Sequence, residues 1–177
     1  MANSALMLFA VVLCGSFVMA QPKAGQTELG KTESDIRDQI VGTWKLVSSE
    51  QIMKDGTIQR DSRFGAHGKG YLMYQRDGHM CAYLTNPDLP KWADAAHPTK
   101  EEKVVAADGM FAYCGRYEID VKLKQIIHLP EVATDPAYVG SRQIRPYTFH
   151  DGRLIFSDVE KDDPTAARWR IVWEKAR

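Results

Sequence analysis

The 177-residue sequence predicts an all-β fold, an antiparallel up-and-down β-barrel of eight or nine strands with one short helix near residues 99–108. Two observations carry the prediction. Short segments rich in β-branched and aromatic residues follow one another from Thr43 to Lys175, separated by turn signals at strand-like spacing. Three Asp-Gly pairs, Asp55-Gly56, Asp77-Gly78 and Asp151-Gly152, join neighbouring segments and supply the positive φ angles of tight hairpins. A meander of that length favours closure, because a barrel removes exposed edges and about eight strands enclose room for one small ligand.

Before the strands come two segments of different character. Ala5 to Ala20 is apolar, uncharged and, by length, short for a membrane span. Its ending, Val18-Met19-Ala20, suits a signal peptidase, so residues 1–20 read as a signal peptide cut near Ala20, with an uncleaved anchor as the alternative. Export to the periplasm or the medium follows, with no integral span in the mature chain. Residues 21–38 hold few large apolar side chains and read as a flexible leader, with a helical turn near Ser34 as N-cap. The folded domain is then 39–177.

The expected strands are 43–53, 57–61, 70–75, 79–84, 111–120, 125–130, 143–150, 153–160 and 167–175, with the segment 120–124 as a further hairpin connection. The helix is read from its ends. Thr99 as N-cap with Glu102 three residues on makes a capping box, and Gly109 suits the C-terminal cap. "GAHGKGY" (Gly65 to Tyr71) and "NPDLPKWADAAHP" (Asn86 to Pro98) read as loops at the barrel mouth, with Trp92 placed to cover the entrance.

Basic and acidic residues balance at 23 each, and no run of Lys and Arg interrupts that balance, which argues against a nucleic-acid partner. Loss of Cys14 with the signal leaves Cys81 and Cys114, which either pair in an oxidising compartment or stay as two separate thiols. His79 and Cys81 share a strand face at a spacing that suits two metal ligands, but no fourth ligand is evident, and neither a metal nor another cofactor is implied. Oligomeric state is not legible.

The segment "GTWKLVSSE" (Gly42 to Glu50) resembles the first-strand signature of the calycins, the lipocalins and fatty-acid-binding proteins. The resemblance implies that Gly42 turns the chain inward and that Trp44 plugs the closed end of the barrel, a role an indole fills by size. A wider resemblance, through "GKGYLMYQRDGHM", "FAYCGRYEID", "IIHLPEV" and "RQIRPYTFHDGRLIFS", is to the bacterial and fungal lipocalin-like domain family. It implies a calycin-type barrel and no particular activity.

Alternation then sorts candidate site residues. Phe111, Tyr113, Gly115, Tyr117 and Ile119 share one face, with Gly115 leaving space at a bend. Arg145 shares a face with Tyr147 and Phe149, and an Arg among aromatics is expensive unless something answers its charge. It is either the anchor for a ligand's carboxylate or enolate, or a structural cation stacked on Trp44 or another ring. Arg168 and Arg170 compete for that structural role, and Arg170 is the one assigned to it. His128 stands with Glu131 three residues on, as a ligand contact, a general base or a buried structural His.

The expected ligand-binding set is therefore Arg145, Tyr147, Tyr113, Tyr117, Phe111 and His128, around a small apolar or amphipathic molecule. Two alternatives stand beside this carrier: an isomerase or cyclase on the same barrel, and an envelope protein whose barrel is filled by its own side chains. An open, polar-tipped cavity disfavours the last; a titratable pair within hydrogen-bond reach favours the enzyme.

Overall fold

A computed structural model of the chain describes residues 30–53, 55–158 and 168–177. The N-cap of helix α1 (Glu33–Ile40) lies two residues before the Ser34 expected for it. Thr32 is the N-cap, its hydroxyl accepting from the Asp35 N–H while the Asp35 carboxylate accepts from the Thr32 N–H. That start puts Ile36 and Ile40 on one face, and both are fully buried. The helix thus occupies part of the stretch read as a leader; the signal segment and residues 21–29 lie outside the described residues.

The strands are β1 (Gly42–Ile52), β2 (Ile58–Arg60), β3 (Lys69–Tyr74), β4 (His79–Thr85), β5 (Met110–Asp120), β6 (Gln125–Ala133), β7 (Gln143–His150), β8 (Arg153–Ser157) and β9 (Arg168–Lys175), with α2 (Lys100–Asp108) between β4 and β5. All pair antiparallel with sequence neighbours, except that β3 pairs with β1, and β9 returns to β1 to close an eight-stranded barrel. β2 is the extra strand. It lies beside the second half of β1 (Ile52↔Ile58 to Glu50↔Arg60), while β3 lies beside the first (Lys45↔Tyr71 to Gly42↔Tyr74). The two act as one interrupted strand, and in the interruption Phe64 turns its ring into the core.

Turn chemistry follows the residues. Asp151 and Gly152 both have positive φ, as a two-residue hairpin turned in the primed sense requires, whereas at Asp55-Gly56 and Asp77-Gly78 only the glycine does. β6 runs to Ala133 through Pro130, beyond its expected end. Pro130 is tolerated because the ladder slips one residue at Cys114/Gly115, where a bulge spares the missing N–H. The expected strand ends at 158–160 and 167 reach residues outside those described.

The closed end is built from local sequence and one distant cation. Gly42, at φ +119°, turns the chain from α1 into β1. Trp44 is buried there and its indole N–H donates to the Ile40 carbonyl at 2.7 Å. On the outer wall Cys81 of β4 and Cys114 of β5 are direct partners across the ladder and are joined by a disulfide. α2 has the capping box of Thr99 and Glu102 and ends at Gly109, yet it buries no side chain. Among the described residues no helix is long and apolar enough to cross a membrane.

Candidate functional site

Inside the barrel is a cavity of about 280 Å³. Its rim carries Asp61, Arg63, Asp135, Tyr138, Arg145 and Trp169; its interior carries Leu72, Tyr113, His128, Phe156 and Trp173. The lining mixes aromatic and aliphatic side chains with polar and charged groups, among them Asp61, Arg63, Asp135 and Arg145 at the rim.

β7 brings Arg145 to the rim, where its guanidinium stacks over the Trp169 ring at 5.3 Å from the centroid. Its hydrogen bonds go to neutral oxygens: the Ile144 carbonyl (3.2 Å), the Gln143 amide (3.3 Å) and the Tyr138 hydroxyl (3.5 Å). Among the described residues no carboxylate pairs with it. Tyr138 comes from the short helical turn Pro136–Tyr138, begun by the Asp135 side chain accepting the Ala137 N–H, and its ring meets Phe111 edge-on at 4.7 Å.

Behind Arg145 runs a buried polar chain. The Tyr113 hydroxyl is 2.7 Å from Nδ1 of His128, and the Tyr74 hydroxyl is 2.5 Å from Nε2. Burial first, and the Arg145 cation second, hold the His128 pKa well below the ordinary imidazole value. His128 is therefore neutral, with one donor and one acceptor nitrogen. Tyr74 is buried with His128 as its partner, so Tyr74 donates to Nε2 and the Nδ1–H donates to Tyr113, which leaves no buried hydroxyl proton stranded. The Tyr113 oxygen accepts there, and its own O–H is left for the cavity. Burial pushes the Tyr113 phenol up to about 12, against the opposing pull of Arg145, so it remains a neutral donor.

The structure thus brings four of the six expected ligand-binding residues, Phe111, Tyr113, His128 and Arg145, to one cavity. Two it does not bring there. Tyr117 shares the inward face of β5 but lies toward the closed end, where its hydroxyl donates to the Gln75 carbonyl (2.8 Å) and accepts from Arg37 of α1 (3.0 Å). Tyr147 is buried in the packed wall against Phe149, at 5.6 Å between centroids. Barrel tilt makes the reason plain: residues on one inward face sit at successive depths, and only some depths are open.

Arg170 is a further correction. It faces outward on β9 and forms an ion pair with Glu50 (2.5 Å), its cross-strand partner. Lys175 takes the expected place over Trp44, 4.4 Å from the ring centroid, because the register sets Trp44 opposite Lys175. Trp92 is 42% exposed and lines no part of the cavity, so the entrance is not covered by it. Gly42, Trp44 and Gly115 sit where a structural role needs them; a Cβ on Gly115 would stand 2.1 Å from the Leu129 carbonyl oxygen.

Residues absent from the expectation are Tyr74, Tyr138, Trp169 and Trp173. Strand parity alone would have found the last two, since Trp169, Ile171 and Trp173 alternate with Arg168 and Arg170. Tyr138 lies in a connection, where no periodicity marks it. His79 stands on the outer face beside Asp77 (Nδ1 to carboxylate 3.1 Å), and the sulfur of Cys81 is committed to the disulfide.

A family model described as "Lipocalin-like domain" matches residues 41–176, which is the barrel from its first strand to its last. No curated protein and no solved structure matches the chain.

Proposed function

The chain belongs to the lipocalin-like domain family, and from that premise we propose that it is an exported carrier of one small, mostly apolar molecule bearing an acidic group. The observation that carries this reading is Arg145: a cation turned to an aromatic cavity, with only neutral oxygens beside it. A half-buried guanidinium without a counter-charge is costly, and a carboxylate or enolate in the cavity would answer it with paired, charge-assisted hydrogen bonds. The free O–H of Tyr113 and the hydroxyl of Tyr138 add donors at the same end. Affinity would come from apolar area against the aromatic walls, at about 25 cal/mol per Å², and orientation from the polar end. An open cavity of about 280 Å³ also speaks against a barrel filled by its own side chains.

One contact favours a second reading, an isomerase or cyclase: the Tyr113–His128 pair is within hydrogen-bond reach and beside a cation. Against it, both His128 nitrogens are engaged and burial keeps the ring from taking a proton.

Native mass spectrometry of the protein isolated from its host, alongside Arg145→Leu, tests the carrier. A small-molecule mass lost in the variant is the expected result. Retention of the same mass by both proteins overturns the anchor, and a mass chemically altered on incubation moves the reading to the enzyme.

A further inference from the structure

Tyr74, His128 and Tyr113 share three protons between two hydrogen bonds. Each group carries one proton, since burial keeps both phenols and the imidazole neutral. The two bonds of the chain use two of these, and one is left over. It falls to one end or the other. At the Tyr74 end it would be stranded: Tyr74 is buried, its ring meets Tyr117 edge-on at 4.9 Å, and among the described residues its hydroxyl bonds to His128 alone. At the other end Tyr113 lines the cavity together with Arg145, and a guanidinium cannot take the proton because it only donates. A buried donor without an acceptor loses its hydration for nothing, so the leftover proton belongs to Tyr113.

We propose that Tyr74, acting through His128, is a positioning residue for the ligand: it fixes the direction of the chain, so that Tyr113 meets the ligand as a donor. This rests on the carrier reading of Arg145 and deepens it. With Tyr113 and Arg145 both donating at one end, the head of the ligand has to accept from both. A carboxylate or enolate oxygen does so with no proton of its own to place, whereas an alcohol brings a proton that neither partner receives. His128 is the coupler. Its Nε2 accepts from Tyr74, which puts the ring proton on Nδ1, and Tyr113 receives it. Without the Tyr74 hydroxyl, Nε2 is free to hold the ring proton, Nδ1 becomes an acceptor, and Tyr113 turns its O–H inward to it. Tyr74 lines no part of the cavity, so it acts on the ligand through the imidazole.

The direction is read first in the ligand-free protein, by long-range proton–nitrogen correlation of the imidazoles, with the His128 signals assigned by their loss in His128→Gln. A proton on Nδ1 and a bare Nε2 are expected, and Tyr74→Phe should move the ring toward the Nε2–H form. A proton on Nε2 in the wild type, or exchange between both forms, overturns the inference whatever binds. Calorimetric titration with straight-chain acids from hexanoate to dodecanoate then measures the consequence. For the tightest of them, Tyr113→Phe should weaken binding about tenfold in the wild type and no more than about twofold in the Tyr74→Phe background. A Tyr74 that only fills space would leave both the tautomer and the cost of Tyr113→Phe as they are in the wild type. That result, with acids still bound through Arg145, overturns the inference and leaves the anchor standing. Acids that bind Arg145→Leu as well as wild type, or no acid binding at all, overturn the anchor and the positioning role with it.

Discussion

Lys175, the eighth and last residue of β9, lies over the ring of Trp44, the third residue of β1, and its ammonium donates to the carbonyls of Gln39 (3.2 Å) and Val41 (2.6 Å). One side chain thereby caps the closed end of the barrel, satisfies two carbonyls at the α1–β1 junction and ties the last strand to the first. The indole beneath it fills the taper that Ile36 and Ile40 of α1 complete.

The two residues should contribute unequally. Trp44→Ala leaves a large void at the base and should cost about 3–5 kcal/mol. Lys175→Ala loses a partly exposed cation–π contact and its hydrogen bonds, and should cost about 1–2 kcal/mol. Urea denaturation of both variants checks the order; equal costs would show that the cation, and not the filled volume, holds the base.

Acid should destabilise the protein through His128. Its folded pKa lies well below the 6.5 of a free imidazole, so below about pH 6.5 the unfolded chain binds a proton that the folded chain refuses. The stabilisation is fully present above that value and falls as pH drops, by up to about 1.4 kcal/mol per pH unit from this one group. Denaturation midpoints measured from pH 8 to 5 should show that slope, and His128→Gln, a neutral amide, should flatten it. A wild-type curve without slope would mean that the imidazole is open to water.

Gly115 should not tolerate a side chain. Its Cβ would meet the Leu129 carbonyl oxygen at 2.1 Å and the Glu131 nitrogen at 2.8 Å, backbone atoms that cannot swing aside. Gly115→Ala should cost more than about 3 kcal/mol. Gly152→Ala meets nothing within 4 Å and adds only the strain of φ +74°, for about 1 kcal/mol. A thermal shift for Gly115→Ala no larger than that for Gly152→Ala would show that the bulge relaxes.

The disulfide should stabilise through the unfolded chain. It closes a separation of 33 residues, worth about 3–4 kcal/mol of loop entropy. Cys81→Ser with Cys114→Ser should lose most of that in guanidinium denaturation, with the cavity residues of β5 still in place and acid binding retained. Lost binding in the folded double variant would show that the bridge also sets the β4–β5 wall of the cavity.

Much of the fold was legible because its signals are local. Period-two alternation put Phe111, Tyr113 and Tyr117 on the inner face of β5. Asp-Gly pairs marked the hairpins, and a Thr-x-x-Glu with a following Gly bounded α2. The short motif of Gly42 and Trp44 carried the closed end. The Ser34 cap was off by two residues, because the helix that buries Ile36 and Ile40 begins at Thr32, whose hydroxyl and the Asp35 carboxylate cap it together.

What the sequence by itself determined is which residues face inward, since a strand's alternation needs no partner. Only the tertiary structure decided which inward residues reach open space. Depth along the barrel depends on strand tilt and on the register across β1 and β9, where a bulge between Leu46 and Ser48 shifts the pairing. That register sets Lys175 on Trp44, turns Arg170 out to Glu50, and leaves Tyr117 in the plug while Tyr113 lines the cavity. It also leaves the Trp173 indole without an acceptor among the described residues. Whether a buried donor is answered is a property of all its neighbours in space, and those come from strands far apart in the chain.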